Sequence, residues 1–139
     1  MMADREQTPR PLPTPTNITQ PFWDAVKEKR LLLQYDPAAG KYQFYPRGLS
    51  IHTGKRNLEW REASGKGVLH SYTETVIPTR GFEDLAPYLI ALVELDEGVR
   101  LMSLLHGISA DEVEIGMRLR LCWDELTEGF NYFAFEPDR

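Results

Sequence analysis

The side chains with chemical reach are few and scattered along the chain. Three histidines, His52, His70 and His106, fall in different segments with neither helical nor C-x-x-H spacing, so neither a metal site nor a catalytic triad is expected from them. A single cysteine, Cys122, excludes an internal disulfide and any cysteine-only metal site, and reads as a half-buried thiol in a strand. The carboxylate pairs Asp96-Glu97 and Asp111-Glu112 sit in turn-like contexts, where solvation explains them better than acid–base work. G-x-S-x-G elbows, P-loops, dinucleotide fingerprints and H-E-x-x-H are all missing. Two features remain. Ser64-Gly65-Lys66-Gly67 offers backbone amides and a lysine that could hold a phosphate, although many hairpin turns share this composition. Phe44, Tyr45, Trp60 and Tyr72 interleave with Lys41, Arg47, Lys55, Arg61 and Lys66 to make a local face of rings and cations. Such a face suits single-stranded nucleic acid, because bases stack on rings and cations track phosphates. It suits the adenine and phosphates of coenzyme A equally well.

The charge balance favours the smaller ligand or a protein partner. With 16 basic and 21 acidic side chains the formal charge is −5, which leaves no electrostatic footprint for a polyanion, and nucleic acid is disfavoured. A length of 139 residues allows one main core with appendages. No stretch approaches the roughly 20 apolar residues of a membrane helix, and the first six residues do not read as a secretory signal, so a cytoplasmic location is expected.

The elements that must position these groups are mostly strands. Residues 1–18 carry Pro9, Pro11, Pro13 and Pro15 at every second position and read as an extended or disordered arm. A short amphipathic helix follows, with Thr19 as candidate N-cap, Pro21 in its first turn and a basic end at Lys27 to Arg30. Its Phe22 and Trp23 fit either core packing or docking on a partner. Leu31 to Tyr35 and Tyr42 to Tyr45 flank the turn-forming Asp36-Pro37-Ala38-Ala39-Gly40, which suggests a hairpin. Leu58 to Ala63 and Val68 to Ile77 read as two strands around the glycines at 65 and 67. Leu89 to Leu95 and Val99 to Leu105 flank Asp96-Glu97-Gly98, a three-residue hairpin loop with glycine where positive φ is needed. Glu112 to Trp123 alternates, and Phe130 to Phe135 returns after Thr127-Glu128-Gly129. Five or six short strands with little helix indicate a small, closed or partly closed β-barrel.

The order of elements and several stretches resemble the DUF35 family, in which a helical segment and a rubredoxin-like zinc ribbon precede an OB-fold. The family's ribbon reads Q-R-C-x-x-C-G, an aromatic run to P-R, x-x-C-P-x-C, then E-W and a G-x-G turn. This chain has Gln34 to Gly40, Tyr42 to Arg47, Gly48 to Thr53, Glu59-Trp60 and Gly65-Lys66-Gly67 at the same spacing. Pro87 to Gly98 matches the family's P-Y-x-x-A-x-V-x-L-x-E-G hairpin, and Ile115-Gly116-Met117 its I-G-M turn. The resemblance covers residues 19–137. It implies a mainly β protein with an extended arm over 1–18, a helix and degenerate ribbon over 19–57, and an OB-fold barrel over 58–139. The four cysteine positions hold Asp36, Ala39, Ser50 and Thr53, of which only Asp36 could ligate zinc, so no metal is expected; Tyr35, Tyr42, Phe44 and their neighbours are expected to hold the ribbon instead.

The resemblance further implies a non-catalytic accessory or scaffold subunit of a thiolase-like acyl-CoA enzyme, with the partner supplying nucleophile and base. No cofactor is expected to be tightly bound, and a coenzyme A thioester is the candidate ligand. Arg47, Lys55, Trp60, Lys66 and Tyr72 are the candidate CoA contacts. Phe22, Trp23, Phe44 and Tyr45 are the candidate partner contacts. Two rival readings stay open: an OB-fold that binds single-stranded nucleic acid, and an independent acyl-CoA-binding or thioesterase protein.

Overall fold

The computed structural model describes residues 10–127 and 130–139. The first nine residues of the expected arm, and Glu128 and Gly129 of the expected last turn, lie outside them. Residues 10–16 have no regular structure, and helix α1 (Gln20–Lys27) follows. Pro21 sits in the first turn of α1, where its missing N–H costs nothing. Thr19 occupies the N-cap position without bonding forward, because its hydroxyl accepts from the Thr16 N–H at 2.8 Å. The helix ends at Lys27, before the basic run is complete. It buries Phe22, Ala25 and Val26.

Two sheets follow. The first contains β1 (Leu32–Asp36), β2 (Lys41–Gln43) and β3 (Glu59–Glu62) in the order β2-β1-β3. β1 and β2 form the expected hairpin, but β2 stops at Gln43, so Phe44 and Tyr45 lie beyond it. The expected pairing of Leu58 to Ala63 with the next strand is corrected by the structure: β3 pairs antiparallel with β1, with Gln34 opposite Trp60. Arg61 fixes that side of the sheet by stacking its guanidinium 3.6 Å from the Tyr35 ring centroid. The first sheet therefore draws its third strand from beyond residue 57.

The second sheet is a closed barrel of β4 (Lys66–Thr75), β5 (Tyr88–Leu95), β6 (Arg100–Leu105), β7 (Arg118–Thr127) and β8 (Phe130–Pro137), in the order β4-β5-β6-β8-β7. This is an OB-fold barrel. β5 alternates strictly between buried and half-buried residues, as a barrel stave should. A register shift between Leu69 and Ser71 bends β4, which pairs with β7 before the shift and runs on along β5 after it. Gly67 permits the close approach of β4 and β5, since a Cβ there would lie 2.4 Å from the Glu94 carbonyl oxygen. The strand expected from Glu112 begins only at Arg118: Ala110–Glu112 is a 3-10 turn, and Gly116, at φ +89°, breaks the extended run.

The barrel closes weakly on one side. β6 and β8 run parallel and share one pairing, Leu105 opposite Phe135, so their earlier residues splay apart. α1 lies against this opening. Asn131 of β8, itself buried, donates to the carbonyls of Val26 at 3.1 Å and Lys27 at 3.3 Å, which ties the end of α1 to the barrel. Phe22 of α1, Phe44 after β2 and Phe133 of β8 pack with ring centroids 5.8–6.3 Å apart, joining helix, first sheet and barrel. Phe22, Val26, Leu31 and Leu33 belong to the same buried cluster as Leu69, Val93, Leu119 and Phe135 of the barrel.

Candidate functional site

Two places in the molecule concentrate polar chemistry. The first is the β1–β2 turn, where Asp36 is fully buried. Its Oδ1 accepts from the backbone N–H of Ala38 at 2.9 Å and of Ala39 at 3.2 Å, and from Asn57 Nδ2 at 2.8 Å. Its Oδ2 accepts from Ser50 Oγ at 2.5 Å and Thr53 Oγ1 at 2.8 Å. Ser50 Oγ in turn accepts from the N–H groups of His52 and Thr53. The Ser50 hydrogen bond holds the Asp36 carboxyl below the usual carboxylate range, against the burial that would raise it, and the Thr53, Asn57 and Ala39 bonds act with Ser50. All four former cysteine positions therefore meet around one carboxylate. This donor set does not fit zinc: it has one anionic group, already saturated by hydrogen bonds, and two hydroxyls in place of thiolates. Among the described residues no cluster of three His, Cys, Asp or Glu side chains could hold a metal ion.

A buried amide pair continues the polar core. Gln34 Oε1 accepts from Gln43 Nε2 at 2.9 Å and from the Arg47 N–H at 2.8 Å, while Gln34 Nε2 donates to the Arg47 carbonyl at 2.7 Å. Gln43 Oε1 accepts from the Ile51 N–H at 2.8 Å. The expected aromatic contribution is also present, with Tyr35 and Tyr42 centroids 4.8 Å apart, but the loops carrying Arg47 and Ile51 are positioned by amides and a carboxylate.

The second place is a cavity of about 570 Å³ at the splayed side of the barrel. Its walls are mostly apolar: Phe22 and Trp23 from α1, Phe44 and Tyr45 from the segment after β2, Met102 to Leu104 from β6, and Tyr132 and Phe133 from β8. His106, just past β6, and Asp124 of β7 supply its polar end, with His106 Nε2 2.8 Å from Asp124 Oδ2. The His106 backbone N–H donates to the Phe135 carbonyl, so the imidazole is anchored at the β6–β8 closure. The Asp124 hydrogen bond raises the His106 pKa, opposed by partial burial and aided by the charges of Asp124 and Glu136. Arg10 and Glu125 also line the cavity, Arg10 pairing with Asp84 at 3.1 Å and Glu125 with Lys29 at 2.7 Å.

The four candidate partner contacts, Phe22, Trp23, Phe44 and Tyr45, all line this cavity. Phe22 is only 2% exposed, whereas Tyr45 is 49% exposed. The five candidate CoA contacts line neither this cavity nor the smaller one beside it. Arg47 and Lys55 are exposed in the loops after β2, Trp60 is half-buried in β3, and Tyr72 is exposed on β4. Lys66 Nζ is engaged 3.0 Å from Asp138. The His106–Asp124 pair escaped the sequence reading because its members are 18 residues apart on different elements.

Comparison with known proteins follows the same outline. Residues 60–124 match the family model described as the ChsH2 C-terminal OB-fold domain. A DUF35 domain-containing scaffold protein of Pyrococcus furiosus is 31% identical over 107 residues, 77% of this chain and 79% of that protein. A probable enoyl-CoA hydratase alpha subunit of Thermomonospora curvata is 36% identical over 135 residues, 95% of this chain but 42% of that subunit, so this chain spans about two fifths of its length. Among solved structures, a chain of the Ltp2-ChsH2(DUF35) aldolase superposes with a TM-score of 0.82 at 32% identity, covering 91% of this chain and 98% of that one.

Proposed function

Because the chain belongs to the DUF35 family, we propose that it serves as a non-catalytic accessory subunit of a thiolase-like enzyme acting on a coenzyme A thioester. The observation that carries this reading is the likeness to the Ltp2-ChsH2(DUF35) aldolase chain, which extends over 91% of this chain and 98% of that one. The scaffold name of the Pyrococcus relative and the hydratase-subunit name of the Thermomonospora relative support the same class of role.

In this assignment the partner supplies the nucleophile and base, and the first sheet lies across the partner's active-site entrance. Arg47 and Lys55 meet the CoA phosphates, Trp60 and Tyr72 offer rings to the adenine, and Lys66 joins them only by releasing Asp138. Trp23, half-buried, and the exposed Tyr45 face the partner. The Asp36 cluster replaces the metal outright, and stoichiometric zinc in elemental analysis of the purified chain would contradict that. Arg61 and Lys66, two of the five cations in the ring-and-cation face, are committed to Glu59 and Asp138, which weakens the nucleic-acid alternative.

Affinity purification of the chain from its native host tests the assignment. A thiolase-like subunit recovered in fixed ratio is expected. A chain recovered alone as a monomer, or one that hydrolyses acyl-CoA without a partner, overturns it.

A further inference from the structure

We propose that the cavity between α1, β6 and β8 binds an uncharged small molecule with an apolar, ring-sized body and one hydroxyl group, which exchanges a hydrogen bond with His106. The claim rests on the geometry of this chain alone and stands apart from the accessory-subunit assignment.

Size and lining come first. A volume of about 570 Å³ lies within the range of pockets that hold one drug-sized molecule, and the walls are rings and aliphatic chains with few polar groups. Charge then narrows the ligand. Each ionic group at the cavity already has its counter-charge: Arg10 with Asp84, Lys29 with Glu125, and His106 with Asp124. An anionic or cationic ligand would have to compete with the partner already held in these pairs, whereas a neutral one leaves them undisturbed. The remaining hydrogen-bonding capacity decides the functional group. His106 commits Nε2 to Asp124, and among the described residues Nδ1 has no partner. The Asp124 hydrogen bond favours the ring's protonated form, opposed by partial burial and aided by the charges of Asp124 and Glu136. When the ring is neutral and Nε2 carries the proton, Nδ1 accepts; when the ring is protonated, Nδ1 donates. A hydroxyl satisfies both states, a ketone only the second, and a hydrocarbon neither. Tyr132, opposite Asp124 in the β7–β8 register, also lines the cavity.

The test uses the full chain without partner or coenzyme A and three probes of one shape: 2-naphthol, 2-methylnaphthalene and 2-naphthoate, titrated at pH 7 by NMR. Saturable binding of 2-naphthol is expected, with shifts at the Met102 methyl and the His106 ring nitrogens. 2-Methylnaphthalene should bind about 3- to 10-fold more weakly and 2-naphthoate more weakly still. His106→Phe should reduce the 2-naphthol affinity to that of the hydrocarbon while leaving the hydrocarbon within twofold. The His106 nitrogen shifts in the unaltered chain provide a readout independent of whether that variant folds. No saturable binding, an undisturbed His106 ring, or a preference for 2-naphthoate would each overturn the proposal, and none of these outcomes bears on the existence of a thiolase-like partner.

Discussion

Replacing Ser50 with alanine should remove the bond that contributes most to the Asp36 cluster. Ser50 is 3% exposed, and its hydroxyl reaches Asp36 Oδ2 at 2.5 Å, so water cannot readily take its place. A hydrogen bond to a charged group contributes about 1.5–3 kcal/mol, and Ser50→Ala also leaves the His52 and Thr53 N–H groups without their acceptor, so the expected loss is about 2–3 kcal/mol. For a chain of this size the melting temperature should fall by roughly 6–15 °C. Thr53→Val removes a more exposed donor and should cost about 1 kcal/mol. The pH dependence carries the decisive sign. Asp36 has a lowered pKa in the folded state, so its stabilisation is fully present above the unfolded carboxyl value of about 3.9 and is lost as pH falls towards the folded value. Ser50→Ala moves the folded value part of the way back up, because the Thr53, Asn57 and Ala39 bonds remain, so the gap between variant and parent should be full at neutral pH and narrow only in strong acid, as pH falls below the variant's folded value towards the parent's. Urea unfolding followed by circular dichroism at pH 7, 4 and 2.5 measures it. A gap below about 0.5 kcal/mol at pH 7, or one that does not change with pH, refutes the reasoning.

Three further outcomes can be checked separately. Gly67→Ala places a Cβ against the Glu94 carbonyl and the Leu95 Cα, so β4 and β5 must separate; a loss of about 1–3 kcal/mol is expected in urea, and an unchanged midpoint would show that the strands yield freely. Asp124→Asn should lower the His106 pKa, read from its imidazole resonances. Because the parent value is raised, its contribution to stability is complete below the unfolded value of about 6.5 and disappears as pH rises through the folded one, so the two proteins should converge in alkaline solution. Cys122 is pushed up to about 11 by burial and by the carboxylates of Glu136 and Asp124, so iodoacetamide at pH 7.5 should alkylate it ~100-fold more slowly than an exposed thiol; rapid labelling would show that the strand opens.

The β5–β6 hairpin was readable because each of its strands buries one face: β5 alternates without a break, and the three residues after it form the expected loop, with Gly98 at φ +88°. β3 could not be assigned a partner from its own residues, since Glu59 to Glu62 show no buried face and only the pairing with β1 gives them a place. Family resemblance aligned Asp36, Ala39, Ser50 and Thr53, but nothing in those letters says that a carboxylate ringed by donors would fill the gap. Asn57, the remaining side-chain donor, lies outside the motif. The cavity was hidden for a different reason. It exists because β6 and β8 meet at a single pairing, and such a long-range defect leaves no trace in local periodicity.

That weak closure changes what counts as the smallest working piece of this protein. In the place where a sixth stave would otherwise continue the hydrogen-bonded wall, α1 leans in with Phe22 and lends its last carbonyls to Asn131. A barrel excised at residue 58 would thus be a cask with a slot down one side, with Phe133 and Asn131 facing solvent where helix had been. Dissection aimed at the barrel should keep the chain from before Gln20 onward, because the helix that looks like a preamble in the sequence is part of the wall.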